Sequence, residues 1–319
     1  MEEQLKNHIE NNIDPAIFNL KDYNSISIKK LAAGCYNVIY LVKINSIKFV
    51  FKISVHSDDF EGDNLEEEFK IMSELNAFHS PKIFWIDNNF KYPFIIEEFI
   101  NGKKINKLSN PILKNIAKSL ADLHNFSGKK KNKSISIKKE YLPMLNQRLE
   151  KLKENKGMHK ELSRFTTKAK KYIEANDEKF NEFSTTRLLH GDMHCGNIFI
   201  KDNNLIFFDW ENYEYSDPVF DIVAFFYESE NLQYFHEMDS ISNEQKKIFL
   251  NEYLKFNPDK HLKEKLDIVY PLRWLSDTLW IASRIVYYKN IPKDSQEKSK
   301  EDYLRFYNFN IKRLHQLWN

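Results

Sequence analysis

The chain has few cysteines and almost no net charge. Only 2 cysteines occur in 319 residues, and Cys35 and Cys195 do not have the spacing of a disulfide framework. We therefore expect free thiols and a cytoplasmic location. The polar start, residues 1–12, has no pattern of an export signal. A formal net charge of +2 gives no general attraction to nucleic acid.

A long uninterrupted apolar run is also missing. The most apolar long segment, residues 268–288, contains Arg273, Asp277 and Arg284, and three charges argue against a membrane span. The lysine-rich stretch 129–139 lacks the interleaved aromatics of a single-strand binder. We therefore expect neither a membrane nor a nucleic-acid partner. With 42% hydrophobic residues, the chain can bury two modest cores.

The most informative segment is residues 190–197, which read His-Gly-Asp-Met-His-Cys-Gly-Asn. Protein kinases place a base Asp five residues before a metal-binding Asn, and another metal-binding Asp follows beyond a short hairpin. Asp192, Asn197 and Asp209 have this order and spacing. The pattern therefore indicates transfer of a phosphoryl group from a metal-bound nucleotide.

Residues 198–208 predict that hairpin. Two short apolar runs flank an Asp-Asn-Asn turn at residues 202–204, which is typical of paired strands. Such a hairpin would bring Asn197 and Asp209 together. An alternative is that His190 and His194 belong to a transition-metal site, but this interpretation assigns no role to Asn197 or Asp209.

These residues resemble the aminoglycoside phosphotransferase and choline kinase family, small-molecule kinases related in fold to protein kinases. The resemblance rests on H-G-D-x-H-x-x-N, on the following apolar-D-W-E, and on D-P-x-x-D at residues 217–221. It implies that Asp192 is the catalytic base and that Asn197 and Asp209 are Mg²⁺ ligands. It also implies that Asp221 is a buried brace of the catalytic loop and that His190 supports the site. Many relatives have proline where this chain has Cys195, a difference that concerns loop stiffness.

A kinase-like site also requires a phosphate-covering loop and then a strand lysine. The candidate loop is residues 32–37, in which Gly34 is the single glycine. Lys52, in the β-rich run 48–53, is the candidate phosphate-binding lysine. Lys48 is a competitor because it lies on the same face of that strand.

A helix glutamate should follow the lysine. The acidic run 66–68 opens a helix with an apolar stripe at Leu65, Phe69, Met72 and Leu75. The family's spacing selects Glu68 as the partner of Lys52, and Glu67 is the open alternative. Residues 94–102 resemble the hinge strand, where main-chain groups of residues such as Glu98 and Ile100 would bind the base of ATP or GTP.

The resemblance implies an α+β, two-lobed protein-kinase-like fold. Residues 1–97 would form an N-terminal nucleotide-binding lobe with an antiparallel sheet plus helix. Residues 98–319 would form a larger, mainly helical C-terminal lobe for catalysis and acceptor binding. Within it, residues 141–183 predict two amphipathic helices with a break near Gly157, an insert that could cover the acceptor cleft.

The acceptor is less well defined by the sequence. Acidic side chains follow the predicted Mg²⁺ ligand Asp209 in the sequence. In the C-terminal part of the chain, one face of a predicted helix carries both charged side chains and a tryptophan. The expected acceptor contacts are Glu211, Asp217, Trp274, Asp277 and Trp280. Acidic and aromatic groups suit a cationic acceptor, either an aminoglycoside or a choline-like ammonium. Arg273 and Arg284 would instead suit a sugar or a phosphorylated acceptor.

The leading hypothesis is therefore an ATP- or GTP-dependent enzyme that phosphorylates a hydroxyl of a small molecule, with Mg²⁺ as cofactor. It would be similar to aminoglycoside phosphotransferases. One alternative is a choline, ethanolamine or sugar kinase of the same fold, and another is a pseudokinase that only binds nucleotide. A protein kinase is disfavoured because the chain lacks D-F-G and A-P-E sequences.

Overall fold

The computed structural model describes residues 1–33, 37–55, 65–126, 135–235, 238–290 and 299–318. The chain divides into two compact units. The first contains residues 1–105 and 196–213, and the second contains residues 106–195 and 214–319. Residues 196–213, which the sequence analysis assigned to the C-terminal lobe, thus group with the N-terminal part.

The first unit is built around antiparallel strands. Its elements are α1 (Glu2–Asn12), β1 (Ile26–Ala33), β2 (Asn37–Ile44), β3 (Ile47–Ser54), α2 (Leu65–Leu75), β4 (Ile83–Asp87), β5 (Phe94–Glu98), β6 (Lys103–Lys104), β8 (Ile198–Lys201) and β9 (Asn204–Phe207). Five strands form one sheet in the order β1-β2-β3-β5-β4, and three form a second in the order β6-β8-β9. Pairing of β6 with β8 joins residues 196–213 to this unit.

The two faces of β3 have different roles. Phe49, Phe51 and Ile53 alternate along the strand and are buried in the hydrophobic core. Lys52 lies on the opposite face, between Ile39 of β2 and Ile95 of β5. The sheet therefore holds the lysine on a rigid strand, while the neighbouring aromatic side chains anchor that strand from behind.

Helix α1 covers the core side of this sheet. Its residues Leu5 and Ile9 are fully buried in the same core as Phe51. The sequence analysis treated residues 1–12 only as a polar segment. The spacing of Leu5 and Ile9 by four residues was the signal for an amphipathic helix.

The second unit is mainly helical. Its elements are α3 (Asn110–His124), α4 (Ile137–Glu150), α5 (Lys156–Phe183), β7 (Arg187–Leu189), β10 (Glu214–Ser216), α6 (Val219–Glu230), α7 (Leu232–Phe235), α8 (Asn243–Phe256), α9 (Leu262–Val286) and α10 (Lys300–Trp318). β7 and β10 form a short antiparallel pair. The antiparallel sheet and the helical second unit confirm the predicted α+β class.

Local chemistry explains the helix boundaries that matter for the site. The predicted break between α4 and α5 lies at residues 151–155, just before Gly157, and Asn155 caps α5 by accepting from Met158 N–H at 3.2 Å. Pro271 interrupts the hydrogen bonding of α9 because it has no N–H. The Tyr172 hydroxyl donates instead to the carbonyl of Asp267 at 3.1 Å.

None of the helices in the described part of the chain has the length and apolar character that a membrane span requires.

Candidate active site

Lys52 is buried in the first unit, and three carboxylates lie close to its ammonium group. Its Nζ lies 2.8 Å from Glu68 Oε2 and 2.6 Å from Asp209 Oδ1. Glu211 Oε2 is 3.6 Å away. Burial acts to lower the pKa of Lys52, but the three carboxylates outweigh it and hold the pKa well above its usual value. The lysine is therefore a fixed positive charge at neutral pH.

Of the two candidate glutamates, the structure pairs Glu68 with Lys52. The Glu68 side chain is 1% exposed, and its Oε1 also accepts from Trp210 N–H at 3.2 Å. Glu67 turns elsewhere and accepts from the Tyr213 hydroxyl at 2.6 Å. One helical position, about 100°, separates the two side chains, so only the packing of α2 against the sheet could distinguish them.

Glu211 was expected to contact the acceptor. That contact stays a prediction, and the structure gives the side chain two partners in the first unit. Its carboxylate accepts from Asn37 Nδ2 at 3.1 Å and lies beside Lys52. Both partners belong to the strands β2 and β3 of the first unit. Glu211 is thus part of the lysine cluster in this unit, where it adds negative charge around the predicted phosphate-binding lysine.

The predicted hairpin is confirmed. Strands β8 and β9 pair in antiparallel register, and Asp202 and Asn203 in the turn have positive φ angles of 51° and 66°, as a type I′ turn requires. Beyond the paired strands, Phe208 N–H donates to the carbonyl of Asn197 at 2.8 Å. The hairpin therefore brings Asn197 next to the segment that carries Asp209.

Asn197 and Asp209 offer the oxygen ligands that Mg²⁺ prefers. Asp209 has a left-handed backbone with φ 67°, which is uncommon for a residue other than glycine. Its side chain is 41% exposed, although it also pairs with Lys52. An accessible carboxylate fits a hydrated magnesium ion, which keeps several of its waters.

The remaining nucleotide-binding predictions fall on two regions. Gly34 lies outside the described residues. Glu98 ends β5, and its N–H donates to the carbonyl of Lys82 at 2.8 Å, while its carboxylate pairs with Lys201 at 2.9 Å. Ile100 is 7% exposed. Recognition of a base by main-chain groups near Ile100 stays a prediction.

In the second unit, Asp221 holds the start of the predicted catalytic loop. Its buried carboxylate accepts from the N–H groups of His190 at 2.8 Å and Gly191 at 2.9 Å. His124 Nε2 lies 3.1 Å from the same carboxylate and His124 Nδ1 lies 2.7 Å from the Tyr253 hydroxyl. Gly191 has φ 84°, a conformation that strongly favours glycine. This explains the glycine between His190 and Asp192.

Asp192 follows that turn and stays ionised. Burial acts to raise its pKa, but a hydrogen bond to His194 and the charges of His190 and Arg273 outweigh burial and hold the pKa well below its usual value. Its Oδ2 lies 3.4 Å from His194 Nε2.

The alternative of a transition-metal site at His190 and His194 gains no support from the described ranges. Within them, no group of three or more His, Cys, Asp or Glu side chains could hold a metal ion.

Two other expected acceptor residues are corrected by their burial. Asp217 is 0% exposed, pairs with Lys265 at 2.7 Å and accepts from Thr185 N–H at 2.8 Å. Trp274 is also 0% exposed and packs edge-on against Tyr227 with ring centres 4.8 Å apart. A fully buried side chain with protein partners is structural, so neither residue contacts an acceptor.

Asp277 and Trp280 have different surroundings on α9. Asp277 Oδ2 accepts from Arg273 Nε at 2.5 Å, and its Oδ1 lies 3.7 Å from Arg148 Nη1. The guanidinium carbon of Arg284 lies over the Trp280 ring, 4.9 Å from the ring centre. Arg148 could not be found from the sequence because it belongs to α4, and no local motif links that helix to α9.

Glu97 is a second residue that the motifs did not reveal. It lies on β5 opposite Val50, on the same face of the sheet as Lys52, and is 6% exposed. Burial, followed by the charge of Glu68, raises the pKa of Glu97 to about 8 even though Lys52 acts to lower it. The glutamate is therefore largely protonated at pH 7.

We expect Glu97→Gln to stabilise the protein at alkaline pH. Because the pKa in the folded state exceeds the ordinary value of 4.5, the free energy of unfolding falls as the pH rises from 4.5 to about 8 and stays low above it. The variant should gain about 5 °C in Tm at pH 9 and almost nothing at pH 5. Thermal unfolding at both pH values measures this, with the exposed Glu74→Gln as control. An equal shift at both pH values would contradict the explanation.

A family model, that of the phosphotransferase enzyme family, matches residues 27–259. The chain belongs to this family. Several solved structures resemble this family member. Choline kinase from Cryptosporidium parvum has a TM-score of 0.72 and 17% identity over 99% of this chain and 94% of its own. Choline kinase LicA from Streptococcus pneumoniae has a TM-score of 0.67 and 17% identity over 99% of both chains.

A spectinomycin phosphotransferase in complex with ADP and spectinomycin is similar as well, with a TM-score of 0.58 and 13% identity over 93% of this chain and 94% of its own. At such identities the likeness shows the fold of this phosphotransferase-family chain and not its acceptor. No curated protein matches the sequence.

Proposed function

We propose that this protein transfers the γ-phosphoryl group of ATP or GTP to a hydroxyl of a small molecule. The observation that carries the proposal is Lys52, held on a rigid strand by Glu68 and beside Asp209. Kinases use this lysine–glutamate pair to hold the nucleotide phosphates. Family membership supports a kinase, and the similar structures named for choline and spectinomycin kinases support a small-molecule acceptor.

The proposed reaction forms a bond between the acceptor oxygen and the γ-phosphorus and breaks the bond to the β–γ bridging oxygen. The hydroxyl proton passes to the carboxylate of Asp192 and then to solvent, and nucleoside diphosphate leaves. The low pKa of Asp192 makes it a weak base. Because the transition state is loose, the proton is transferred late, so Asp192 acts mainly by orienting the hydroxyl.

The other side chains bind and orient the nucleotide. Lys52 would bind the phosphates that are not transferred, and Glu68 would keep its ammonium in place. Asn197 and Asp209 would hold Mg²⁺, which when bound supplies positive charge to the phosphate oxygens. In sequence, Asn197 follows Asp192 by five residues, so the loop that orients the hydroxyl continues directly into a predicted ligand.

An assay of ADP or GDP release tests the proposal. The purified protein is incubated with Mg²⁺ and ATP or GTP against a panel of aminoglycosides, choline, ethanolamine, hydroxy acids and sugars. We expect acceptor-stimulated release, and we expect Asp192→Asn to lower kcat about 1000-fold with nucleotide affinity unchanged. Nucleotide binding without stimulated release by any acceptor would favour a pseudokinase and contradict the proposal.

A further inference from the structure

Arg273 of α9 is fixed in the second unit by two contacts. Its Nε donates to Asp277 Oδ2 at 2.5 Å, one helical turn away. The guanidinium carbon lies 5.8 Å from the centre of the Tyr227 ring, within the range of a cation–π contact. These contacts restrain the Nε side of the guanidinium. They leave unrestrained its far edge, which carries Nη1 and Nη2.

The far edge of Arg273 makes no hydrogen bond to the described residues. Within the part of the chain that the structure describes, neither Nη1 nor Nη2 of Arg273 donates to an acceptor, and the side chain is 25% exposed. A guanidinium has five N–H donors in a planar fork, so four remain for water or a ligand. The charge of Arg273 also acts on Asp192 and helps to keep the pKa of that carboxyl low, so the two side chains interact electrostatically within the second unit.

A second arginine shares the carboxylate that pairs with Arg273. Arg148 of α4 donates from Nη1 to the carbonyl and the hydroxyl of Ser276 at 2.8 and 2.6 Å, and lies 3.7 Å from Asp277 Oδ1. Two guanidiniums therefore share the single carboxylate of Asp277. Glu228 is also near, but burial, more than the neighbouring charges, raises its pKa to about 7, so it supplies only part of a negative charge at neutral pH.

We propose that Arg273 binds a carboxylate of the acceptor, so that the substrate of this enzyme is a hydroxy acid. The inference rests on the proposed phosphotransfer function and specifies its substrate class. The two oxygens of a carboxylate match the two terminal nitrogens of a guanidinium. Asp277 and Tyr227 orient that guanidinium before the substrate arrives, which lowers the entropic cost of binding. The acceptor hydroxyl is then directed to Asp192.

Matched acceptors that differ by a carboxylate test this inference. Release of ADP or GDP is measured with L-serine against ethanolamine, L-homoserine against 3-aminopropan-1-ol, and D-galacturonate against D-galactose. In at least one pair, we expect kcat/KM to be at least about 10-fold higher for the carboxylate. Arg273→Lys keeps the charge but loses the fork, and should lower that kcat/KM about 100-fold, mainly through KM. The carboxylate-free partner should change less than about twofold.

Controls separate binding from folding. Arg305→Gln, a charge removal at an exposed position of α10, should leave all values unchanged, and circular dichroism should show that Arg273→Lys is folded. Equal efficiency within every pair that is turned over, or a preference that survives in Arg273→Lys, would overturn the inference and leave the proposed function intact.

A binding measurement covers the case in which no acceptor is turned over. The three carboxylates are titrated calorimetrically into the wild type and into Arg273→Lys, each with a non-hydrolysable ATP analogue. Binding that Arg273→Lys weakens about 100-fold would support the carboxylate subsite even though phosphotransfer had failed. Absence of binding by all three carboxylates would overturn the inference.

Discussion

Replacing Lys52 by methionine is expected to lower kcat/KM for nucleotide about 1000-fold. The substitution removes the positive charge that lies beside Glu68, Asp209 and Glu211. The three carboxylates would then repel one another and the nucleotide phosphates, and the buried Glu68 would take up a proton. Removing one partner of a buried ion pair costs about 3–5 kcal/mol, so thermal stability should fall as well. Steady-state kinetics and thermal unfolding measure the two effects.

Lys48→Met is the matched control. Lys48 is on the same face of the same strand, but it is exposed and lies over the Phe99 ring at 5.0 Å. Its replacement should change neither kcat/KM nor Tm appreciably. If the two variants behaved alike, the assignment of Lys52 as the phosphate-binding lysine would be wrong.

Asp221→Asn is expected to abolish most activity and to destabilise the fold by about 3 kcal/mol. The carboxylate accepts from His190 N–H, Gly191 N–H and the His124 ring. An amide has only one acceptor oxygen, and its NH₂ group would face a backbone N–H that cannot accept a hydrogen bond. The turn at Gly191 would lose its restraint, and Asp192 would lose its orientation. Denaturant unfolding and ADP release together report both effects.

The effect on activity should appear mainly in kcat, because Asp221 belongs to the second unit and nucleotide binding is proposed for residues of the first. Asp239→Asn, at an exposed position, serves as the control for the chemical change. Unchanged kcat in a folded Asp221→Asn protein would show that the turn holds its shape without the brace.

The sequence was most informative where a function depends on neighbours along the chain. The hairpin that brings Asn197 close to residues 208 and 209 was predicted from two apolar runs and an Asp-Asn-Asn turn. A two-residue turn with positive φ dictates the pairing of its flanking strands. The glycine between His190 and Asp192 likewise has a local cause, its φ of 84°.

Contacts between distant segments were predicted less well. Glu67 and Glu68 remained alternatives because they are adjacent, and only the packing of α2 decided that Glu68 is buried against Lys52. Trp274 and Asp217 were expected at the acceptor because aromatic and acidic side chains suit a cationic acceptor. The structure buries both, one in an aromatic core and the other against Lys265.

By itself, the sequence determined the order and spacing of Lys52, Glu68, Asp192, Asn197 and Asp209, and with it the family and the α+β class, since these depend on motif spacing and on the periodicity of apolar residues. Only the tertiary structure decided which charges meet. It placed Arg148 of α4 beside Asp277 of α9, although 128 residues separate Arg148 from its partner Ser276, and left one edge of Arg273 open. Burial and charge pairing result from the packing of whole helices, which no local pattern specifies.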